Sequence, residues 1–420
     1  MKLSRLDEDM LAGRQGEAKR RAMEGLVTLG RAYDAPDLVD IGYAHIHAGM
    51  AMYKDDVELM EELAALGATV AVPSSANIAN ADLVNWRQTG APEKLALLQQ
   101  RAAGAHKKMG SACAFTCTPY WAGHWPTWNT HMVSIESTVT IFCNSVLGAR
   151  SNRDGFFAVY AAMTGRYPRF GYHLDAQRVG THRVQVETDP SSISDFSAMG
   201  FHVGKQVGGG VAVFDGFKRR PTLDELDALG AAMGTSGGIS MFIVPGATPP
   251  YATAEQAFAG RRPNDAIVAD DRGIRETYEQ FSDGTEFDLV HVGCPHASYE
   301  EMKQYAALLD GKKIAQGVEL WVTTSRSVRN MAAEAGYIAT MEQAGAKVIS
   351  DTCPMSCHFA RTASPDPALG VQPPSLRGIV LDSAKQAKYV RDMIRCPTLL
   401  TSTEKAIETA LTGRFVPRYA

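Results

Sequence analysis

From residue 287 to residue 394 the chain keeps one rhythm: a short apolar run, a stretch of helical period, then another apolar run. The runs Phe287 to Val292, Leu320 to Thr324, Lys347 to Ile349 and Gly378 to Leu381 read as buried strands. Tyr299 to Leu309, Val328 to Ala344 and Ser383 to Ile394 read as the helices of the same unit. Strands separated by helices pair in parallel and must be covered on both faces, so this alternation constrains the fold more than any other feature. It predicts a doubly wound parallel sheet, in which ligands bind beyond the carboxyl ends of the strands.

Two cysteines stand at such ends. Cys294 lies in His-Val-Gly-Cys-Pro-His, and Cys353 lies in Ser-Asp-Thr-Cys-Pro-Met. A third, Cys117, sits in Phe-Thr-Cys-Thr-Pro-Tyr. Three thiolates gathered at a sheet edge could cradle an iron–sulfur cluster with one open coordination position. The spacing is long and no CxxC supports it. Cysteine is also a common small core residue, the plainer reading for Cys113, Cys143 and Cys396. Cys113 beside Cys117, and Cys357 beside Cys353, remain rival ligands.

The N-terminal half carries the same rhythm less clearly. Leu3 to Leu29 and Asp55 to Leu66 read as helices, Leu38 to Ala44 and Thr69 to Val72 as strands. Residues 104–172 are crowded with Gly, Pro, Asn, Cys and aromatics, as functional loops are, and helical period resumes at Thr138 to Leu147. Thr222 with Glu225 three residues on predicts a capped helix from Thr222 to Met233, followed by a strand at Ile239 to Val244. Arg361 to Pro374 reads as a surface loop. We expect two regions, 1–220 and 221–420.

At 420 residues with 45% hydrophobic and 21% charged content the composition is globular. A net charge of −4 gives no bulk attraction to nucleic acid or an anionic membrane. No stretch approaches the roughly 20 apolar residues of a membrane span. The charged N-terminus has no apolar signal core, and seven cysteines is an odd number, so a cytoplasmic protein with reduced thiols is expected.

A second constellation spans Glu136 to Gly155. It places Glu136, Ser137, Asn144, Ser145, Arg150, Asn152 and Arg153 among small residues. Arginine suits bidentate carboxylate binding, and Asn and Ser can fix a hydroxyl. His45 and His47 follow the first expected strand and could orient or protonate a substrate. The Gly-rich runs at 208 and 237 lack the rest of a phosphate-binding fingerprint. Neither H-E-x-x-H nor G-x-S-x-G occurs.

Several of these segments together resemble the large, catalytic subunit of the aconitase X family. They are Asp40-Ile-Gly-Tyr-Ala-His45, Val72-Pro-Ser-Ser-Ala-Asn77, Thr116-Cys-Thr-Pro-Tyr120, Glu136-Ser137, Asn144-Ser-Val-Leu-Gly-Ala-Arg-Ser-Asn-Arg153, His291-Val-Gly-Cys-Pro-His296 and Asp351-Thr-Cys-Pro354. The resemblance runs over nearly the whole chain, and the run from Asn144 to Arg153 is its most specific part. It implies an aconitase-like multi-domain α/β/α architecture with parallel sheets. It implies a hydro-lyase whose iron–sulfur cluster, 2Fe-2S or 4Fe-4S, is held by Cys117, Cys294 and Cys353. Glu136, Ser137, His45 and Lys385 are then the candidate catalytic residues. Asn77, Asn144, Ser145, Arg150, Asn152, Arg153 and Ser383 are the candidate substrate-binding residues, with Arg150 or Arg153 holding a carboxylate. The implied substrate is a small hydroxy acid, cis-3-hydroxy-L-proline, or alternatively mevalonate 5-phosphate. The family's small swivelling domain has no room in this chain, so a separate small subunit is expected as partner. Leu381-Asp-Ser-Ala-Lys385 matches the family only loosely, and Cys357 is an extra thiol. The competing classes are a non-catalytic iron–sulfur protein and a zinc lyase.

Overall fold

A computed structural model describes residues 1–47, 54–358, 369–371 and 376–419, without the side chains of Lys54 and Asp265. Three parallel sheets follow one another along the chain. The first has the spatial order Ser74–Ala76, Tyr43–Ile46, His131–Ser134, Arg150–Arg153. The second has the order Asn264–Ala269, His182–Val186, Ala212–Asp215, Phe242–Ile243. The third, five-stranded, has the order Lys347–Ser350, Glu319–Thr324, Leu289–Ala297, Ile379–Leu381, Thr398–Leu400. Leu38–Asp40 pairs antiparallel with Arg166–Pro168. The architecture is a multi-domain α/β fold, as the strand–helix rhythm requires.

All three sheets reverse their winding direction, and the reversals in the first and third flank the site described below. In the third, the chain runs outward from Leu289–Ala297 through two strands, then returns to place Ile379–Leu381 on the other side. In the first, Tyr43–Ile46 is flanked by Ser74–Ala76 on one side and His131–Ser134 on the other. Each reversal leaves a crevice at the carboxyl ends of the two strands that flank it. One apolar core joins the second and third sheets. It combines Val184, Phe196, Phe214 and Phe242 with Trp321, Ile349, Ile379 and Leu381. A second core packs Ala22, Leu26, Val159 and Met163 against Ala44 and Ile46 of the first sheet.

Several expectations are redrawn. The expected division at 220/221 falls inside the second sheet, whose strands extend from His182 to Ala269. What begins there is a helix, with Thr222 and Glu225 forming a capping box on Leu223–Gly237. The first long helix is two, Arg5–Leu11 and Glu17–Ala32, interrupted at Gly13 and Gly16. Val328 to Ala344 is likewise split into Arg326–Glu334 and Tyr337–Ala344 by Gly336. Residues 69–72 form no strand, because Val70 and Ala71 donate to the carbonyls of Met109 and Ala162, at helix positions. Ser74–Ala76 takes the sheet place instead. Within 104–172 the helix expected at Thr138 to Leu147 is Ser137–Ser145, and the stretch expected as loops around it also holds His131–Ser134, Arg150–Arg153 and Phe157–Thr164. Most of the expected loop 361–374 lies outside the described residues.

Helix Ile193–Val207 lies against Leu223–Gly237 so closely that a Cβ at Gly200 would overlap the carbonyl oxygen of Leu229. Gly200→Ala therefore sets a backbone clash against a small gain in helix propensity. We expect a net loss of about 1–3 kcal/mol, read as a lower denaturation midpoint. An unchanged or raised midpoint would show that the helix pair can separate at no cost.

Candidate active site

The two crevices face each other, and a buried ion pair joins them. Glu136 follows strand His131–Ser134 and caps helix Ser137–Ser145. Lys385 lies in the first turn of Ala384–Tyr389, just beyond strand Ile379–Leu381. Lys385 Nζ reaches Glu136 Oε1 at 2.8 Å and Thr138 Oγ1 at 2.5 Å. Burial by itself would raise the Glu136 pKa, but the charge and hydrogen bond of Lys385 outweigh it and hold the carboxylate at about 2. Burial also disfavours the ammonium of Lys385, yet Glu136 and then the thiols of Cys117 and Cys294 keep its pKa above the ordinary lysine value. The pair is therefore charged.

The three proline-flanked cysteines converge beside it. Cys117 follows the short bridge Ser75–Ala112, and Thr116 N donates to Ala76 O at 3.2 Å. Cys294 lies where the strand register breaks: Val292 pairs with Val322, and the next pair is Ala297 with Thr324. Gly293 makes the excursion possible, with φ +91° and a Cβ position already filled by the carbonyl of Thr323. Cys353 follows strand Lys347–Ser350. Burial pushes the thiols of Cys117 and Cys294 up, and that of Cys353 up to about 12. Each thiol also raises another's pKa: Cys294 that of Cys117, Cys353 that of Cys294, and Cys117 that of Cys353. Lys385 opposes the rise at all three, so they share one electrostatic neighbourhood.

His296 ties the three segments together. Its Nε2 donates to Thr352 O at 3.1 Å, beside Cys353. Its Nδ1 meets Thr116 Oγ1 at 3.0 Å, beside Cys117, and its backbone N–H donates to Cys117 Sγ at 3.3 Å. Thr118 Oγ1 donates back to His296 O at 3.1 Å. The backbone N–H groups of Ser356 and Met355 near Cys353, and the Ser383 hydroxyl near Cys294, pull those thiols' pKa values down against the effect of burial. Such donors favour thiolate, the form that binds metal. Among the described residues no three His, Cys, Asp or Glu side chains converge on one metal-ion position. Thiols that each bind a different iron of one cluster need not converge in that way.

A cleft of about 220 Å³ opens next to the ion pair, lined by Asn77, Ile78, Ile135, Glu136, Arg153, Met355, Ser356, Tyr389 and Met393. Arg153 anchors its Nε on Ile135 O at 3.2 Å. His45 is buried behind Asn77: Nε2 lies 3.4 Å from Asn77 Oδ1 and Nδ1 lies 2.8 Å from Ser75 Oγ. Burial lowers its pKa to about 4, so the ring is neutral. Ser137 is buried in the first turn behind Glu136, and Ser383 caps the helix of Lys385.

Five expected substrate-binding residues do not line the cleft: Ser383, which caps the Lys385 helix, and four that bond elsewhere. Asn144 bonds Ser151 in both directions, Ser240 O and Arg178. Ser145 accepts from Phe242 N. Asn152 bonds Phe170 O and Tyr172 N. Arg150 is engaged by Asn129, His173 O and Asp175. The reason is strand period: in Arg150–Arg153, residues 150 and 152 share one face, and Arg153 takes the other. In this structure the four bond within the scaffold, and of the two arginines Arg153 is the one that lines the cleft. Of the rival thiols, Cys113 is exposed, and Cys357 is buried with Sγ 3.5 Å from Pro354 O. Sequence reasoning did not single out Thr138, His296, Ser356 or Tyr389 for the site, nor the buried Asp82–Arg326–Asp351 bridge that pins the loop ahead of Cys353. The motif Cys294-Pro-His296 was the available signal for His296.

The aconitase X first-domain description matches residues 1–176, the second-domain description 180–279 and the third-domain description 287–412. The chain belongs to the aconitase X family. It is 40% identical over 397 residues to the phosphomevalonate dehydratase large subunit of Methanothermobacter thermautotrophicus, covering 93% of this chain and 94% of that one. It is 34% identical over 419 residues to the cis-3-hydroxy-L-proline dehydratase of Pseudomonas aeruginosa, covering 98% of this chain and 70% of that longer one. The solved aconitase X of Thermococcus kodakaraensis, in its holo-form, superposes with a TM-score of 0.83 at 32% identity, covering 98% of this chain and 100% of that one. The aconitase X relatives are named dehydratases, and this chain is an enzyme of that hydro-lyase class. No described helix is long and apolar enough to cross a membrane.

In this aconitase X chain, Glu136→Gln leaves the Lys385 ammonium buried without its counter-charge. The expected loss is about 3–5 kcal/mol, read from denaturant unfolding of the metal-free chain at neutral pH. Glu136→Gln with Lys385→Met should recover much of it. An unchanged midpoint in the single variant would mean that the pair contributes nothing to the fold.

Proposed function

We propose that this chain is the large subunit of an aconitase X dehydratase acting on cis-3-hydroxy-L-proline, with Cys117, Cys294 and Cys353 holding an iron–sulfur cluster. The observation that carries the reading is the gathering of three thiols from separate segments around the Lys385–Glu136 pair, with Cys117 and Cys353 packed against the cleft residues Ile78 and Met355. The residues fit the group: the donors are thiols, N–H and O–H groups pull their pKa values down, and a lysine charge offsets the thiolates. When bound, the cluster would supply a Lewis acid at an open iron position for the substrate hydroxyl.

The other duties fall to side chains. Arg153 holds the carboxylate from the cleft wall. Lys385 Nζ stays protonated, and its bonds to Glu136 and Thr138 keep it at the crevice. Glu136, held at about 2, is a weak base, and its role is to anchor that ammonium. His45 is neutral with both ring nitrogens engaged. The proton next to the carboxylate therefore goes to a group outside these residues, which supports a separate small subunit closing over the cleft. The naming of several relatives as large subunits points the same way.

The cleft favours a substrate with one anionic group, because Arg153 is the one cationic side chain lining it among the described residues. A second reading, dehydration of mevalonate 5-phosphate, is favoured by the 40% identity to a chain of similar length. It asks for a further phosphate anchor.

Two measurements test this. In anaerobically purified protein, Cys117→Ser, Cys294→Ser and Cys353→Ser should each lose iron and sulfide, and Cys143→Ser and Cys396→Ser should keep both. His296→Ala should lose iron, and His296→Gln should retain a part of it. Full iron in any of the first three removes that residue from the ligand set. In the second, the metal-loaded complex is assayed on both substrates. Turnover of mevalonate 5-phosphate with none of hydroxyproline replaces the first reading by the second.

A further inference from the structure

Behind the cleft wall runs a chain of side chains that the reaction as described does not use. Tyr43 and His45 lie on strand Tyr43–Ile46, and Ser75 on the paired strand Ser74–Ala76. His45 and Ser75 are register partners. The Tyr43 hydroxyl contacts Ser75 Oγ, Ser75 Oγ meets His45 Nδ1 at 2.8 Å, and His45 Nε2 meets Asn77 Oδ1 at 3.4 Å. Tyr43, His45 and Ser75 are buried, at 2%, 0% and 0% exposure, while Asn77 reaches the cleft.

The hydrogens in this chain have two possible directions, and burial selects one. If His45 Nδ1 carried the hydrogen, Ser75 Oγ would accept it, and only one of the Tyr43 and Ser75 hydroxyl hydrogens could be used between the two oxygens. The other would then be buried with no acceptor among the described residues, a costly state. In the other direction Tyr43 donates to Ser75, Ser75 donates to Nδ1, and Nε2–H donates to Asn77 Oδ1. Every polar side-chain hydrogen of Tyr43, Ser75 and His45 is then used. With its carbonyl turned inward, Asn77 has only its NH2 left for the cleft, where Nδ2 has no partner among the described residues.

We propose that Tyr43, Ser75 and His45 are positioning residues: they hold His45 as the Nε2–H tautomer, so that Asn77 presents its amide NH2 to a substrate oxygen beside Arg153. This rests on the reading of the cleft as the substrate site. It makes Asn77 and Arg153 a pair of donors on that wall, favouring a carboxylate or another anionic oxygen over an ammonium. It also turns His45 from a candidate acid or base into an orienting group.

Nitrogen NMR of histidine-labelled protein, with His45 assigned by its loss in His45→Gln, reads the tautomer directly. The expected signature is an unprotonated Nδ1 and a protonated Nε2, and this needs neither substrate nor subunit. In the metal-loaded complex on cis-3-hydroxy-L-proline, Ser75→Ala should raise KM about tenfold with less than about twofold change in kcat, as loss of one oriented hydrogen bond does. Asn77→Asp, which replaces the donor by a charge, should raise KM by more than about a hundredfold. A wild-type His45 protonated on Nδ1, or an unchanged KM in Ser75→Ala, overturns the proposal. Absence of turnover by the wild-type complex overturns the substrate reading instead, while the tautomer measurement still decides this one.

Discussion

The buried pair between Lys385 and Glu136 is the contact on which the rest of the site depends. Each partner begins a helix that follows a parallel strand, one in the first sheet and one in the third. Neither charge would be tolerated at that depth alone, so the two sheets must meet with their crevices face to face for the fold to close. Once they meet, Lys385 also faces all three thiols. The same ammonium thus stabilises the domain junction and offsets the negative charge that three thiolates would carry.

A second tier of neutral hydrogen bonds gives this charged centre its shape. His296 works as a spacer between three loops, and His45 as a spacer between a strand and the cleft wall. Both rings are buried, and burial lowers both pKa values to about 4, so neither gains charge near neutral pH. That suits an orienting role: a neutral imidazole has one donor and one acceptor, and so transmits direction. The Asp82–Arg326–Asp351 bridge performs the comparable task for the Cys353 loop, with charge in place of neutral bonds.

Much of the C-terminal sheet was legible because its strands are buried on both faces and its helices are amphipathic. Helix Tyr299–Leu309 is found at its expected bounds, and the strands at 319, 347 and 379 lie within a residue or two of theirs. The first sheet was harder. Ser74–Ala76 and Arg150–Arg153 are built from serine, arginine, asparagine and alanine, which carry no apolar alternation. Their pairing is imposed by neighbouring strands, which local pattern does not report. Glycines inside otherwise helical runs were read through, and Gly16 and Gly336 break the helices there.

The chain's own pattern determined the α/β class, the strand-end placement of Cys294 and Cys353 and, through motif likeness, the family to which it belongs. Tertiary structure decided which polar residues share a cleft. The run from Asn144 to Arg153 looks like one binding segment in sequence, yet strand period turns Arg150 and Asn152 away from Arg153, and helix Ser137–Ser145 buries Asn144 and Ser145. Conversely, Glu136 and Lys385 are far apart in sequence and 2.8 Å apart in space. Local periodicity records what each segment buries. Which segments meet is set by the closing of one sheet upon another, and that is a property of the whole chain.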